Sequence, residues 1–161
     1  MTAPQPHLPL PRLALLGLAC LAVAACAPMA PSSAPAASAV SAKAEAAPVA
    51  AACPKDLAPI ARCLSGQDSA GAYYLIAMPQ RWNGHLVLHA HGGPALGAPR
   101  MERSVEDLTR WSIMVRAGYA WAGSTFRQGG VEVRAAAEDT ERLRQIFVQH
   151  VAKPQRTILH G

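Results

Sequence analysis

The sequence predicts an α/β domain, a three-layer sandwich with helices on both sides of a sheet. Three observations predict it. Between Ala72 and Gly161, short apolar runs and amphipathic segments follow in the order strand, strand, helix, strand, helix, strand. Helices that alternate with short apolar strands imply parallel crossover units. Glycine and proline punctuate the boundaries at Gly84, Gly92 to Pro94, Gly118, Gly129-Gly130 and Pro154. No internal repeat is present.

Each element follows from local chemistry. Ala72 to Met78 is rich in aromatic and β-prone residues and reads as a strand. Pro79 to Gly84 is a turn whose strongest signal is Asn83-Gly84. His85 to His91 is a second strand, stopped by Gly92-Gly93-Pro94, and a loop continues through Pro99. A helix is expected next, with Ser104 as its cap and Asp107 three residues on. Val105, Leu108, Trp111 or Ser112, and Val115 share one face, and Gly118 ends it. Tyr119 to Thr125 reads as a buried strand and Phe126 to Gly130 as a loop. Val133, Ala137, Thr140, Leu143 or Arg144, Phe147 and Val151 mark a long amphipathic helix that stops before Pro154. Arg156 to His160 begins another strand. Gly66 to Gly71 (GQDSAG) superficially resembles a nucleophile motif but has no strand before it and reads as an ordinary turn.

The 161 residues divide unevenly. Leu13 to Ala25 (LALLGLACLAVAA) is an apolar run too short for a bilayer-spanning helix, which needs about 20 apolar residues. It follows Arg12 and leads into small residues, the pattern of a secretory signal. Val23-Ala24-Ala25-Cys26 resembles the bacterial lipoprotein box, which implies lipidation of Cys26 and removal of residues 1–25. Cys20 fits that box less well. The alternatives are an ordinary signal cleaved near Ala25 or Ala27, and an uncleaved anchor. In the lipoprotein pattern an aspartate after the cysteine marks inner-membrane retention; Ala27 stands there, which points to the outer membrane, facing the periplasm. Residues 26–52 are dominated by alanine, proline and serine, a composition that cannot offset its ordering entropy, and read as a tether. Residues 53–161 are left to build the domain. Export places Cys53 and Cys63 in an oxidising compartment, where so close a pair is expected to form a disulfide worth about 2–3 kcal/mol under the chain-entropy model.

Charge excludes one class of partner. The formal charge is +5, but Arg110, Arg116, Arg134, Arg142 and Arg144 are interleaved with Glu106, Asp107, Glu138, Asp139 and Glu141. There is no basic stripe with aromatic residues between, so nucleic acid is not an expected partner. With hydrophobic residues at 51% and charged residues at 16%, a charged disordered protein is excluded as well.

The residues that carry chemistry lie after the second strand. His91-Gly92-Gly93-Pro94 resembles the oxyanion loop of the α/β-hydrolase superfamily. The order that follows supports the resemblance: a helix, AGYAWAGSTFRQGG, a helix containing EDTERLR, then KPQRTILHG. It covers about Tyr73 to Gly161 and implies an incomplete α/β-hydrolase sheet, mostly parallel with antiparallel N-terminal strands. In that family the last of these strands runs into a G-x-S-x-G elbow, with serine, acid and histidine in that order. All three are therefore expected beyond Gly161, and the stretch from Cys53 is short for a complete fold of this kind. By the same resemblance Gly92 or Gly93 supplies one backbone N–H to a tetrahedral oxyanion, because glycine lets the backbone approach closely. His91 is expected to brace the loop rather than to ionise. Arg127 follows a strand at the carboxyl edge, where ligands bind in open α/β sheets, and is a candidate substrate contact; the alternative is a solvated loop arginine.

His85, His89 and His91 share strand parity, yet the acidic residue and further histidine of a metallohydrolase motif are missing, so no metal and no cofactor are expected. Trp82, Trp111 and Trp121 read as packing residues. Two functions remain. The first is the N-terminal part of an exported, lipid-anchored serine hydrolase of esterase or peptidase type, acting on a small molecule or peptide. The second is a non-catalytic cell-envelope lipoprotein that binds a partner through its half-sheet.

Overall fold

The computed structural model describes residues 44–92, 96–130 and 132–161. These form an α/β fold built on one six-stranded mixed sheet that is open at both edges. The strands are β1 (Val49–Ala51), β2 (Ala61–Gln67), β3 (Tyr73–Pro79), β4 (His85–His89), β5 (Ala120–Ser124) and β6 (Arg156–His160). The helices are α1 (Met101–Arg110), α2 (Ser112–Arg116) and α3 (Val133–His150). The strand order is β1-β2-β3-β5-β4-β6, so β5 inserts between two strands that are consecutive in sequence.

The sheet is less parallel than expected. β1–β2, β2–β3 and β3–β5 pair antiparallel, whereas β4–β5 and β4–β6 pair parallel. The difference arises from β1 and β2, two strands that the sequence does not announce. β2 reads ARCLSGQ, with no β-branched or aromatic residue, and β1 reads VAA. Their strand state comes from pairing: β2 matches β3 over its whole length, from Ala61 opposite Pro79 to Gln67 opposite Tyr73. β1 also corrects the extent of the tether, since Val49 to Ala51 lie opposite Ser65 to Cys63 inside the sheet. The Cys53–Cys63 disulfide is formed and fastens the chain after β1 to the middle of β2. The turn between β2 and β3 is closed by Asp68, whose Oδ1 accepts the amides of Ala70 and Ala72. Gly71 there has φ 97, a conformation that side chains with a Cβ disfavour.

The first helix starts a turn earlier than its sequence pattern suggests. Ser104 is no cap: it is buried inside α1, and its hydroxyl donates to the Gly123 carbonyl on β5. The helix begins instead after the extended Arg100 and breaks at Trp111, giving two short helices where one was expected. Gly118 closes α2 with φ 87. α3 runs through Val133–His150, as its apolar period predicts.

Alternate strand residues point to opposite faces and build two cores. Tyr74, Ile76, Met78, Leu86, Leu88, Ala120 and Ala122 pack with Leu143, Ile146 and Phe147 of α3. Leu75, Ala77, Val87 and Trp121 pack instead with Leu108 of α1, Val115 of α2 and Leu57. β6 is covered poorly: Arg156 to Leu159 are exposed, Leu159 at 67%. Among the described residues no helix is long and apolar enough to cross a membrane.

Candidate functional site

The parallel strands β4, β5 and β6 end at one edge of the sheet, and the chemistry-bearing residues gather there. His91 follows β4 and is buried. Its ring stacks on Phe126, centroids 4.5 Å apart, and its Nε2–H donates to the Thr125 carbonyl at 3.3 Å. The carbonyl can only accept, so this contact assigns the proton to Nε2. Gly92 is exposed, with open space where a Cβ would stand. Gly93, the other candidate donor, and Cys26 lie outside the described residues.

The receiving loop is built with care for its backbone. Phe126 has φ 56, in the left-handed region that a bulky residue seldom occupies. Local hydrogen bonds hold it: the Phe126 amide donates to Ser124 Oγ, and Thr125 Oγ1 donates to the Phe126 carbonyl. Thr125 Oγ1 also accepts the Tyr73 amide, tying the loop to β3. Such strain in a loop at strand ends persists only where its surroundings over-determine it.

Beside this loop, β6 comes into contact with the residues leading to His91. The Ala90 amide donates to the His160 carbonyl at 2.8 Å, and a Cβ on Gly161 would stand 3.2 Å from the Ala90 carbonyl oxygen. A groove of about 500 Å³ runs between β6 and α3, lined mainly by apolar groups that include Leu88, Phe126, Val133, Ala137 and Leu159.

Sequence reasoning missed a second cluster on the α1 side. His89 Nδ1 lies 3.1 Å from His160 Nδ1, and His89 Nε2 lies 3.8 Å from Asp107 Oδ2. Trp121 and Trp111 flank the His89 ring at 5.6 and 6.1 Å. Only strand register brings His160 opposite His89, so no local motif could have signalled it. The shared parity of the three histidines does not gather them: His85 packs beside Tyr119, and His91 turns away onto Phe126. Among the described residues no group of three or more metal-ligating side chains is assembled.

Burial lowers the His89 pKa from its ordinary 6.5; His160, His91 and Arg110 push the same way, and Asp107 opposes them. An unfolded chain binds the proton more readily, so stability is fully present above the unfolded value and declines as pH falls toward the folded one. Unfolding midpoints in urea at pH about 7.5 and about 5.5 are expected to differ less in His89→Gln than in the parent. An unchanged pH dependence would remove His89 from that role.

Arg127 is engaged by protein carboxylates. Its amide and guanidinium both bind Asp139, at 2.8 and 2.9 Å, and the guanidinium also pairs with Glu138. Asp139 in turn meets Arg142 at 2.9 Å, and Arg142 reaches Glu45 and Asp68. Glu45 thereby joins the segment before β1 to α3. Burial raises the Asp68 pKa, with the Asp139 charge adding to it and the Ala72 and Ala70 amides and Arg142 opposing.

In comparisons with protein-family models, curated proteins and solved structures, none matches the chain.

Proposed function

We propose that this chain is the N-terminal part of an exported, lipid-anchored serine hydrolase of the α/β-hydrolase type, with a three-layer sandwich architecture. The observation that carries the reading is the meeting of two strand ends. The end of β6, His160-Gly161, hydrogen-bonds beside the start of the His91-Gly92 loop. A nucleophile elbow on a chain continuing from β6 would therefore emerge next to the loop whose amides face a developing oxyanion. The strand order supports it too, since the antiparallel-paired strands β1, β2 and β3 precede three mutually parallel strands, with β5 inserted between β3 and β4.

In this reading the chain contributes electrostatics rather than nucleophilic attack. A serine oxygen attacks the acyl carbon, a histidine takes its proton, and the carbonyl oxygen gains negative charge. Gly92 or Gly93 donates one N–H to that charge, and the residue after the serine donates the other. His91 holds the loop by its bond to Thr125 and its stack on Phe126. Serine, acid and histidine belong to residues after Gly161. The groove between β6 and α3 is then the seat of the helix that follows the elbow. Cys26 carries the lipid, and the following residues hold the domain off the outer membrane on its periplasmic face. The Cys53–Cys63 disulfide suits an exported domain.

A second reading keeps the anchor but not the chemistry. The exposed edge strand β6, with Ile158 and Leu159 open to solvent, would accept a strand from a partner. Ester hydrolysis separates the two. The 161-residue chain is expected to show no turnover above background. A chain continued past Gly161 is expected to hydrolyse an activated ester, and replacing its elbow serine should cost about 10³-fold or more. Activity in the 161-residue chain that disappears on changing one of its own residues would overturn the first reading.

A further inference from the structure

A second cavity opens at the same sheet edge, on the α1 side of Phe126. It measures about 280 Å³ and is lined by the loop from Leu96 to Arg100, by Arg103 of α1, and by Thr125, Phe126 and Gly129. Two of its lining residues are arginines and none is acidic. We infer that it binds a carboxylate or phosphate group, and that in the proposed hydrolase it selects substrates bearing such an anion beside the scissile bond.

The arginines have donors to spare. Arg103 Nε is buried and without a hydrogen-bond partner among the described residues. Its nearest carboxylate, Asp107, stands 3.9 Å from Nε, beyond hydrogen-bond reach, and is shared with His89 at 3.8 Å. A planar guanidinium offers five N–H donors in a fork suited to two oxygens of one anion. Only Nε of this side chain is buried, the side chain being 38% exposed, and a ligand oxygen would meet that one unpaired N–H. Arg100 stands at the start of α1 in an extended conformation, φ −133 and ψ 132, and makes no side-chain cap among the described residues.

The place of the cavity gives the anion its meaning. Thr125 and Phe126 line it, and the same two residues hold His91. Phe126 also lines the apolar groove on its other side, so its strained backbone sets a wall between a cationic and an apolar compartment. The small volume suits a compact charged group rather than a whole substrate. The role as a substrate subsite rests on the hydrolase reading; the anion site itself does not.

The test is an NMR titration of the 161-residue chain at low ionic strength, with inorganic phosphate in one arm and acetate in the other. Saturating amide shifts at Gly97, Thr125 and Gly129 are expected in at least one arm, and the tighter arm names the anion. Arg100→Gln with Arg103→Gln should weaken binding by at least about tenfold, and added salt should weaken it further. Arg81→Gln, outside the cavity, should leave it unchanged. If the double variant loses its dispersed spectrum, the exposed Arg100→Gln alone should still weaken binding severalfold. Shifts that do not saturate, or that persist unchanged in the arginine variants, would overturn the site. If the site binds and a continued chain hydrolyses neutral and anionic esters equally, the subsite role fails while hydrolysis stands. If it binds and no continued chain hydrolyses anything, the hydrolase reading fails while the anion site stands.

Discussion

Replacing Asp139 by alanine is expected to destabilise the domain by about 3–5 kcal/mol, the cost of breaking a buried, hydrogen-bonded ion pair. The carboxylate is 0% exposed and lies at the centre of the network. It accepts the Arg127 amide at 2.8 Å, the Arg127 guanidinium at 2.9 Å and the Arg142 guanidinium at 2.9 Å. Alanine orphans a backbone N–H and leaves two arginines without their shared buried acceptor. Glu138, Glu45 and Asp68 still offset part of that charge, which holds the loss below a larger value. Asp139→Asn keeps an acceptor and should cost less, about 1–3 kcal/mol. Urea unfolding of the three proteins checks the order. A loss below about 1 kcal/mol for alanine would show that the network adds nothing beyond surface pairing.

The second large effect is expected at Trp121, which is 0% exposed and the largest of the fully buried side chains. It sits on β5, between β3 and β4, and its ring covers Gly123, leaving no room for a Cβ beside the indole Cη2. Trp121→Ala removes that ring from the core with Leu75, Val87, Leu108 and Val115 and should cost about 3–5 kcal/mol. The indole N–H has no partner among the described residues, so Trp121→Phe forfeits volume but no hydrogen bond. It should cost about 1–2 kcal/mol. Equal losses for the two substitutions would show that the N–H, not the packing, matters. Because the ring also stacks on His89 and underlies the Gly123 backbone that Ser104 binds, loosening is expected to spread to the strand ends.

These two residues show what was legible in the sequence. Trp121 lies in a continuous apolar run bounded by glycines; short apolar runs announced β3, β4, β5 and β6, and an amphipathic period announced the long α3. Asp139 gave no such signal, because its partner Arg127 lies across a loop and its burial depends on how α3 meets β5. β1 and β2 were hidden for a related reason: small and polar residues became strands through pairing, β2 with β3 and β1 with β2, which no local pattern announces. At the site, the His91-Gly92 loop could be read from a motif. The His89–His160 contact needed the register of β4 against β6, and the arginine cavity needed the fold of the Leu96 to Arg103 segment around Thr125. Ser104 misled because a serine three residues before an acid reads as a cap even when it is buried in mid-helix.

In the proposed hydrolase, β6 leads into a nucleophile elbow beside the His91-Gly92 loop. The codons that follow Gly161 test it most directly. They are expected to encode x-Ser-x-Gly at once after Gly161, in the same frame or after a frameshift. A stop codon with no such words in any nearby frame would contradict it.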